Sequence, residues 1–278
     1  NNAFAQGTLA PGQTIRVRCS GATSASLRFQ TSPVLRNEGT IEVGPRAAAG
    51  TCVNTISGAN GATLQNAGTL RLGGASAPTD PAWIEGVTAA GTIVNEAGGS
   101  IVVEGQATAQ GATIVNDGDL TVADTGVLVT VQTNSLLLAR DGTVNNLGTI
   151  DITGGAAYRA VLGEHIGNPI DLSGGGRFEP AGPGATHVRI RNGQLGLVQN
   201  PLGPIVVQPD HLIEVAGTFT SLNGVPFENQ GRILMTGRGD QATTFSATGA
   251  AGSVTNRGEI RFTTIPGTGT GGSYDVSR

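Results

Sequence analysis

The sequence predicts an all-β parallel β-helix, a solenoid in which one short unit is stacked many times. Three observations predict it. A unit apolar-x-Asn-x-Gly-x-apolar-x-apolar recurs along the chain, glycine accounts for 45 of 278 residues, and aromatic residues make up only 4%. Glycine at more than twice its usual ~7% supplies repeated turns. An apolar set dominated by Val, Ile, Leu and Ala suits many thin layers better than one thick core. No stretch differs in kind from the rest, so one elongated domain is expected.

The repeat is read directly from the chain. Its copies are Leu35 to Val43, Leu64 to Leu72, Ile114 to Val122, Val144 to Ile152, Phe227 to Met235 and Val254 to Phe262. A further copy, Ile93 to Val103, carries two extra residues in its turn. The asparagines are Asn37, Asn66, Asn95, Asn116, Asn146, Asn229 and Asn256, separated by 29, 29, 21 and 30 residues up to Asn146 and by 27 from Asn229 to Asn256. These intervals are those of solenoid coils. A single coil cannot bury its own apolar face, so stability must come from stacking. Alternation such as Ile41-Glu42-Val43 or Leu70-Arg71-Leu72 reads as a strand with one face inward. Ten or so coils would give a rod roughly 45–50 Å long.

The asparagines are expected to be structural corners. Asn tolerates a left-handed backbone, and its amide can satisfy local backbone groups where the chain turns. Stacked inward, each amide could donate to the next. The glycine two residues on is expected to allow a tight bend.

Domain organisation follows from where the repeat is present. Residues 1–34 lack it and are expected to form an N-terminal capping element that covers the first coil. Residues 35–266 are the β-helix, with an irregular Gly- and Pro-rich excursion at about 156–187. Residues 267–278 read as a flexible C-terminal tail, with more chain expected beyond it.

Charge and cysteine content narrow the class. A net charge of −4 and dispersed arginines argue against a phosphate-binding surface, so no nucleic-acid partner is expected. All sixteen basic residues are Arg, which reads as a GC-rich genome. The two cysteines, Cys19 and Cys52, are expected to form one disulfide worth roughly 3–4 kcal/mol if unstrained. Such a bridge would place the protein outside the reducing cytosol; two separate buried thiols are the alternative. Without a His/Cys cluster, neither a metal nor another cofactor is expected. No segment reaches the ~18–20 apolar residues of a membrane-spanning helix, so membrane insertion by this segment is not expected. A secretion leader, if there was one, is expected to have been removed.

The Asn-x-Gly-x-Ile/Leu-x-Val unit with short Gly-rich turns, from about residue 35 to 262, resembles the β-helical passenger regions of bacterial autotransporters and two-partner-secreted exoproteins. The resemblance implies a right-handed parallel β-helix that is exported, then secreted or displayed on the bacterial cell surface. Many members act as adhesins and some carry an effector domain. It further implies attachment to an outer-membrane translocator in the full-length protein, and as partner a host or sister-cell surface protein or glycan. The chain departs from the pattern in having irregular coil lengths and no protease insert.

A carbohydrate-active β-helix, either a polysaccharide lyase or hydrolase or a phage tailspike-like protein, is the second reading. Hydrolysis needs two carboxylates about 5–10 Å apart. Adjacent coils could align Glu42 with Arg71, or Asp151 with a neighbouring acid, although solvated outward charges are the ordinary explanation. Glu164 and His165, with Asp171, Arg177 and Glu179, are the nearest thing to a cluster, approached by His187 and His211. Loop solvation accounts equally for those residues, and no catalytic residue is assigned. Ser173 to Gly176 is Gly-rich but opens no helix, so it is not a phosphate cradle. Arg238, Gly239 and Asp240 form an integrin-type tripeptide and are a candidate receptor contact; such a tripeptide also arises easily by chance. Trp83, in a Pro-rich loop, could stack on a sugar or cover a core edge.

Overall fold

A computed structural model describes residues 2–19, 23–44, 53–59, 61–73, 82–86, 91–132, 135–140, 142–154, 156–160, 165–172, 176–180, 186–190, 194–195, 205–207, 209, 211–216, 220–223, 227–237, 243–248, 254–264 and 274–277. The described residues form a parallel β-helix. Every strand pairing among them is parallel, and each strand pairs with the strand one coil away. The first sheet holds twelve strands, from Asn2–Ala5 to Glu259–Thr264. The second holds nine, from Gly7–Leu9 to Gln194–Leu195, and the third seven, from Thr14–Val17 to His165–Gly167. Beyond them lie two three-stranded sheets. One comprises Ile205–Val207, Phe227–Asn229 and Val254–Asn256, the other Thr220–Asn223, Thr243–Thr248 and Tyr274–Ser277. Twelve strands at ~4.8 Å each make a stack roughly 50–55 Å long.

The core is a set of apolar columns, because alternate residues of every strand face inward. Ile41, Leu70, Ile101, Leu120 and Val144 form one such column in the third sheet, all buried. Within the second sheet, Leu35, Leu64, Ile93, Ile114 and Leu137 continue in register to Tyr158 and Phe178, whose rings stack with centroids 5.9 Å apart. In this column rings thus follow the aliphatic side chains of the earlier coils.

Residues 2–17 are themselves one coil: Asn2–Ala5, Gly7–Leu9 and Thr14–Val17 each pair with the following coil. The N-terminal end of the stack is thus a coil without the Asn-x-Gly unit. Around residues 156–187 the described strands Ala157–Ala160, His165–Gly167, Ile170–Leu172 and Arg177–Pro180 also pair with their neighbours. What reads as an excursion holds short coils, since Ile170 lies opposite both Ile150 and Val188.

The asparagines behave differently from expectation in two respects. First, they are not left-handed corners: Gln132 is the non-glycine residue with positive φ among those described. Each Asn instead ends a strand, and the side chains of Asn37, Asn66, Asn95, Asn116, Asn146 and Asn229 are buried in the interior. Second, they do not form one stack. Asn37, Asn66, Asn95 and Asn116 lie in register at the corner between the second and third sheets. Asn146 ends a strand of the third sheet, opposite Val122, at the corner leading to the first sheet. Asn229 and Asn256 pair with each other at the corner that also leads into the first sheet. The unit has moved round the rod by one sheet.

The glycine of the unit also has a different cause. Gly39, Gly68, Gly99 and Gly118 are not among the positive-φ glycines. A Cβ at Gly68 would sit on the carbonyl oxygen of Gly39, and one at Gly118 on that of Gly99. Close approach between stacked corners, rather than a bend, excludes every other residue there.

Candidate functional site

The asparagine ladder is the most regular polar feature of the interior. Asn37 Nδ2 donates to Asn66 Oδ1 at 2.6 Å, Asn66 to Asn95 at 2.7 Å and Asn95 to Asn116 at 2.7 Å. Each amide gives its other hydrogen to a backbone oxygen of the next coil: Thr69, Ser100, Asp119 and Thr143 in turn. All four side chains are fully buried. Their hydrogen bonds run inside the rod, so this ladder is scaffold chemistry and presents nothing to a ligand.

On the outer face, columns of side chains are set by register. On the first sheet, Asp151, Asp171, Arg189 and Glu214 follow one another on consecutive strands. Asp151 and Asp171 are direct neighbours, one strand step of ~4.8 Å apart at the backbone. Arg189 stands between the two later acids, with Nε 2.9 Å from Glu214 Oε2 and Nη1 3.9 Å from Asp171 Oδ1. The alignment of Asp151 with a neighbouring acid, and of Glu42 with Arg71, is as the sequence allows. Arg189 separates Asp171 from Glu214, so the column reads acid, acid, base, acid.

Several other described charges pair across coils. Arg16 meets Glu42 at 2.8 Å, Arg71 meets Glu104 at 2.6 Å, and Arg140 pairs with Asp117. Arg36 donates to Glu38 at 2.9 Å and to Glu96 at 2.8 Å, which raises its guanidinium above the ordinary value. Near the C-terminal end a shallow hollow of about 220 Å³ is lined by Leu212, Leu234, Arg232, Glu259, Arg261 and Thr263 among others. Its charged pair, Arg232 and Glu259, is in contact at 3.1 Å. Among the described residues, no group of three His, Cys, Asp or Glu could hold a metal ion.

The candidates singled out in the sequence are dispersed. His165 opens a third-sheet strand opposite Val144, Asp171 lies on the first sheet, and Arg177 and Glu179 lie on a second-sheet strand. Those residues therefore belong to three different sheets. His187 lies on the first sheet opposite Leu212. His211 is buried in the core, its ring edge-on to Phe178 with centroids 5.8 Å apart. Trp83 is on the first-sheet strand Ala82–Gly86, in register between Thr55 and Thr108, and so not in a loop. Glu164, Cys52, the Ser173-to-Gly175 stretch and the Arg238-Gly239-Asp240 tripeptide lie outside the described residues.

The sequence reading missed Arg189 and Glu214, though a signal for them exists. Ile150-Asp151-Ile152, Ile170-Asp171-Leu172, Val188-Arg189-Ile190 and Ile213-Glu214-Val215 are apolar-charged-apolar triplets on consecutive strands of the first sheet. Comparison with protein-family models, curated proteins and solved structures finds no match to this chain.

Proposed function

We propose that this chain is a surface-displayed or secreted bacterial passenger, an adhesin-like rod whose loops present the ligand-binding residues. The observation that carries the reading is the use of outer-face charge. The described arginines mostly bridge acids on neighbouring coils, as in Arg16–Glu42, Arg71–Glu104 and Arg189–Glu214. Such pairing holds a long, thin stack in register and leaves recognition to the segments between strands. The ligand would be a host or sister-cell surface protein or glycan. A translocator in the outer membrane would anchor the full-length protein, in keeping with the sequence resemblance.

A Cys19–Cys52 bridge belongs to the same reading, since disulfides persist in exported proteins. Cys19 is buried at 1% exposure, and its backbone N–H donates to Asn54 Oδ1 at 2.6 Å. Intact mass after alkylation tests the bridge: two alkyl groups added without reductant would overturn it.

Adhesion is tested by coating beads with the purified chain and counting those held by epithelial cells, bacterial cells and immobilised glycans. Retention that Arg238→Ala abolishes, with an unchanged melting curve, would assign the contact to the tripeptide. Failure to bind any of these surfaces would sink the adhesive reading.

The neighbouring carboxylates of Asp151 and Asp171 favour one second reading, action on a polysaccharide. It requires that the chain release reducing ends from an acidic or neutral glycan and that Asp151→Asn or Asp171→Asn stop the release. No release from a panel of such glycans discards it.

A further inference from the structure

The outer face of the first sheet changes character near its C-terminal end. The charged column of Asp151, Asp171, Arg189 and Glu214 continues on the next two strands as Leu234 and Arg261. Two residues back along each strand runs a second column, Leu212, Arg232 and Glu259. Strand residues i and i+2 share a face, so the two columns stand side by side on the surface.

Two leucines therefore lie diagonally on an outer face, Leu212 on one strand and Leu234 on the next. Both are half-buried. They add nothing to the core, which is filled from these strands by Ile213, Val215, Ile233 and Met235. With Arg232, Glu259, Arg261 and Thr263 they line the hollow of about 220 Å³. Sites for drug-sized ligands run to ~300–1,000 Å³, so this one has the size for a single small ring.

The charges in the lining are unequal. Arg232 and Glu259 neutralise each other at 3.1 Å. Arg261 is exposed, and among the described residues its guanidinium makes no ion pair or hydrogen bond. Elsewhere Arg16, Arg71, Arg140 and Arg189 each meet an acid one coil away. At Arg261 the register neighbour in the preceding coil is Leu234 instead.

A planar guanidinium with free donors can hold a carboxylate by two parallel hydrogen bonds. The leucines beside it offer a surface to aliphatic C–H groups. Glu259 keeps lone pairs beyond those facing Arg232, and these accept from hydroxyl groups. Carboxylate, C–H face and hydroxyls occur together on an acidic sugar. An acidic peptide fits less well, because an extended backbone seeks hydrogen bonds at a strand edge, whereas these strands spend theirs on each other.

We propose that this hollow binds one carboxylated pyranose, with its ring on Leu212 and Leu234 and its carboxylate on Arg261. The site goes beyond the adhesive reading, which leaves recognition to the segments between strands, and it stands or falls separately.

Nuclear magnetic resonance titration of the full chain with glucuronate, glucose and acetate tests the site. Glucose has the ring without the carboxylate, and acetate the carboxylate without the ring. Glucuronate is expected to bind in the millimolar range, about tenfold more tightly than either. Arg261→Gln should weaken glucuronate binding about tenfold. Arg28→Gln, at an exposed arginine near the opposite end of the same sheet, should change nothing. Leu234→Asn keeps the charges and removes part of the floor, so glucuronate should lose its advantage over acetate. Should Leu234→Asn melt early, Arg261→Gln decides alone, since its side chain is exposed. Absence of glucuronate binding, equal binding of acetate, or an unchanged affinity in Arg261→Gln overturns the site.

Discussion

Asn116 lies in register with Ala139, and the ladder that climbs from Asn37 ends on that pairing. Asn116 Nδ2 makes the same backbone bond as the amides before it, to the Thr143 carbonyl at 3.0 Å, and Ala139 offers no amide oxygen to its other hydrogen. The ladder is directional, each amide donating towards the C-terminus. It follows that the first asparagine of each run has an oxygen with no amide behind it. Asn37, Asn146 and Asn229 each carry a buried Oδ1 without a hydrogen-bond donor, and their register neighbours upstream are Leu9, Val122 and Val207.

Position in the ladder predicts the cost of removing a member. Asn66→Ala or Asn95→Ala leaves a buried donor and a buried acceptor unanswered, and is expected to destabilise by about 1–3 kcal/mol. Asn256 closes a run at an exposed position, so Asn256→Ala should cost about 1 kcal/mol or less. Urea melts of the three variants check the ranking. Equal costs would mean that the amides are held by their backbone bonds rather than by each other.

The orphan oxygen of Asn37 predicts a gain. Leu9 is the register neighbour of Asn37 and is only partly buried, so an amide there can point its Nδ2 at Asn37 while its own oxygen stays accessible. Leu9→Ala is the control, because it loses the same leucine packing without adding a donor. Leu9→Asn should be more stable than Leu9→Ala by about 1 kcal/mol. Val122→Asn should show no such gain, since Val122 is fully buried and its new oxygen would become the next orphan. A melt in which Leu9→Asn and Leu9→Ala coincide removes the argument.

The stack of Tyr158 on Phe178 predicts where core truncation is costly. Both rings are buried, and His211 packs edge-on against Phe178. Phe178→Ala should cost about 3–5 kcal/mol, and Phe178→Leu clearly less, because leucine refills part of the cavity. Near-ultraviolet circular dichroism should lose its tyrosine signal in the alanine variant only. Loss in both would show that ring stacking, rather than volume, orders Tyr158.

Much of this architecture was legible in the sequence because its chemistry is local. Alternation around Ile41-Glu42-Val43 fixes an inward face, and an Asn with a Gly two residues on marks a corner. What could not be read is phase. The corner leading from the second to the third sheet and the corner leading to the first use the same unit. The 30 residues from Asn116 to Asn146 therefore look like one more coil, whereas the register partner of Asn116 is Ala139. Trp83 misled because Pro78 and Pro81 read as loop residues, whereas a strand begins at Ala82. The column from Asp151 to Glu214 depends on coils of unequal length, so its members fall at irregular intervals and meet only once register is known.

Two glycines separate the steric from the conformational role of this residue. Gly68 has an ordinary φ, yet a methyl group there would overlap the Gly39 carbonyl oxygen of the coil beneath. Gly98 has φ +85° and open space around the built Cβ. Gly98→Ala therefore incurs only the strain of a left-handed alanine, about 1–2 kcal/mol. Gly68→Ala must push two stacked corners apart and disturb the hydrogen bond from Thr69 N–H to the Gly39 oxygen, now 2.8 Å. It should cost more than about 3 kcal/mol and loosen the Asn37–Asn66 bond beside it. Paired denaturant melts give the ranking, and amide exchange at Thr69 gives the location. If Gly98→Ala proves the more damaging of the two, the corners stack less closely than their backbone atoms indicate.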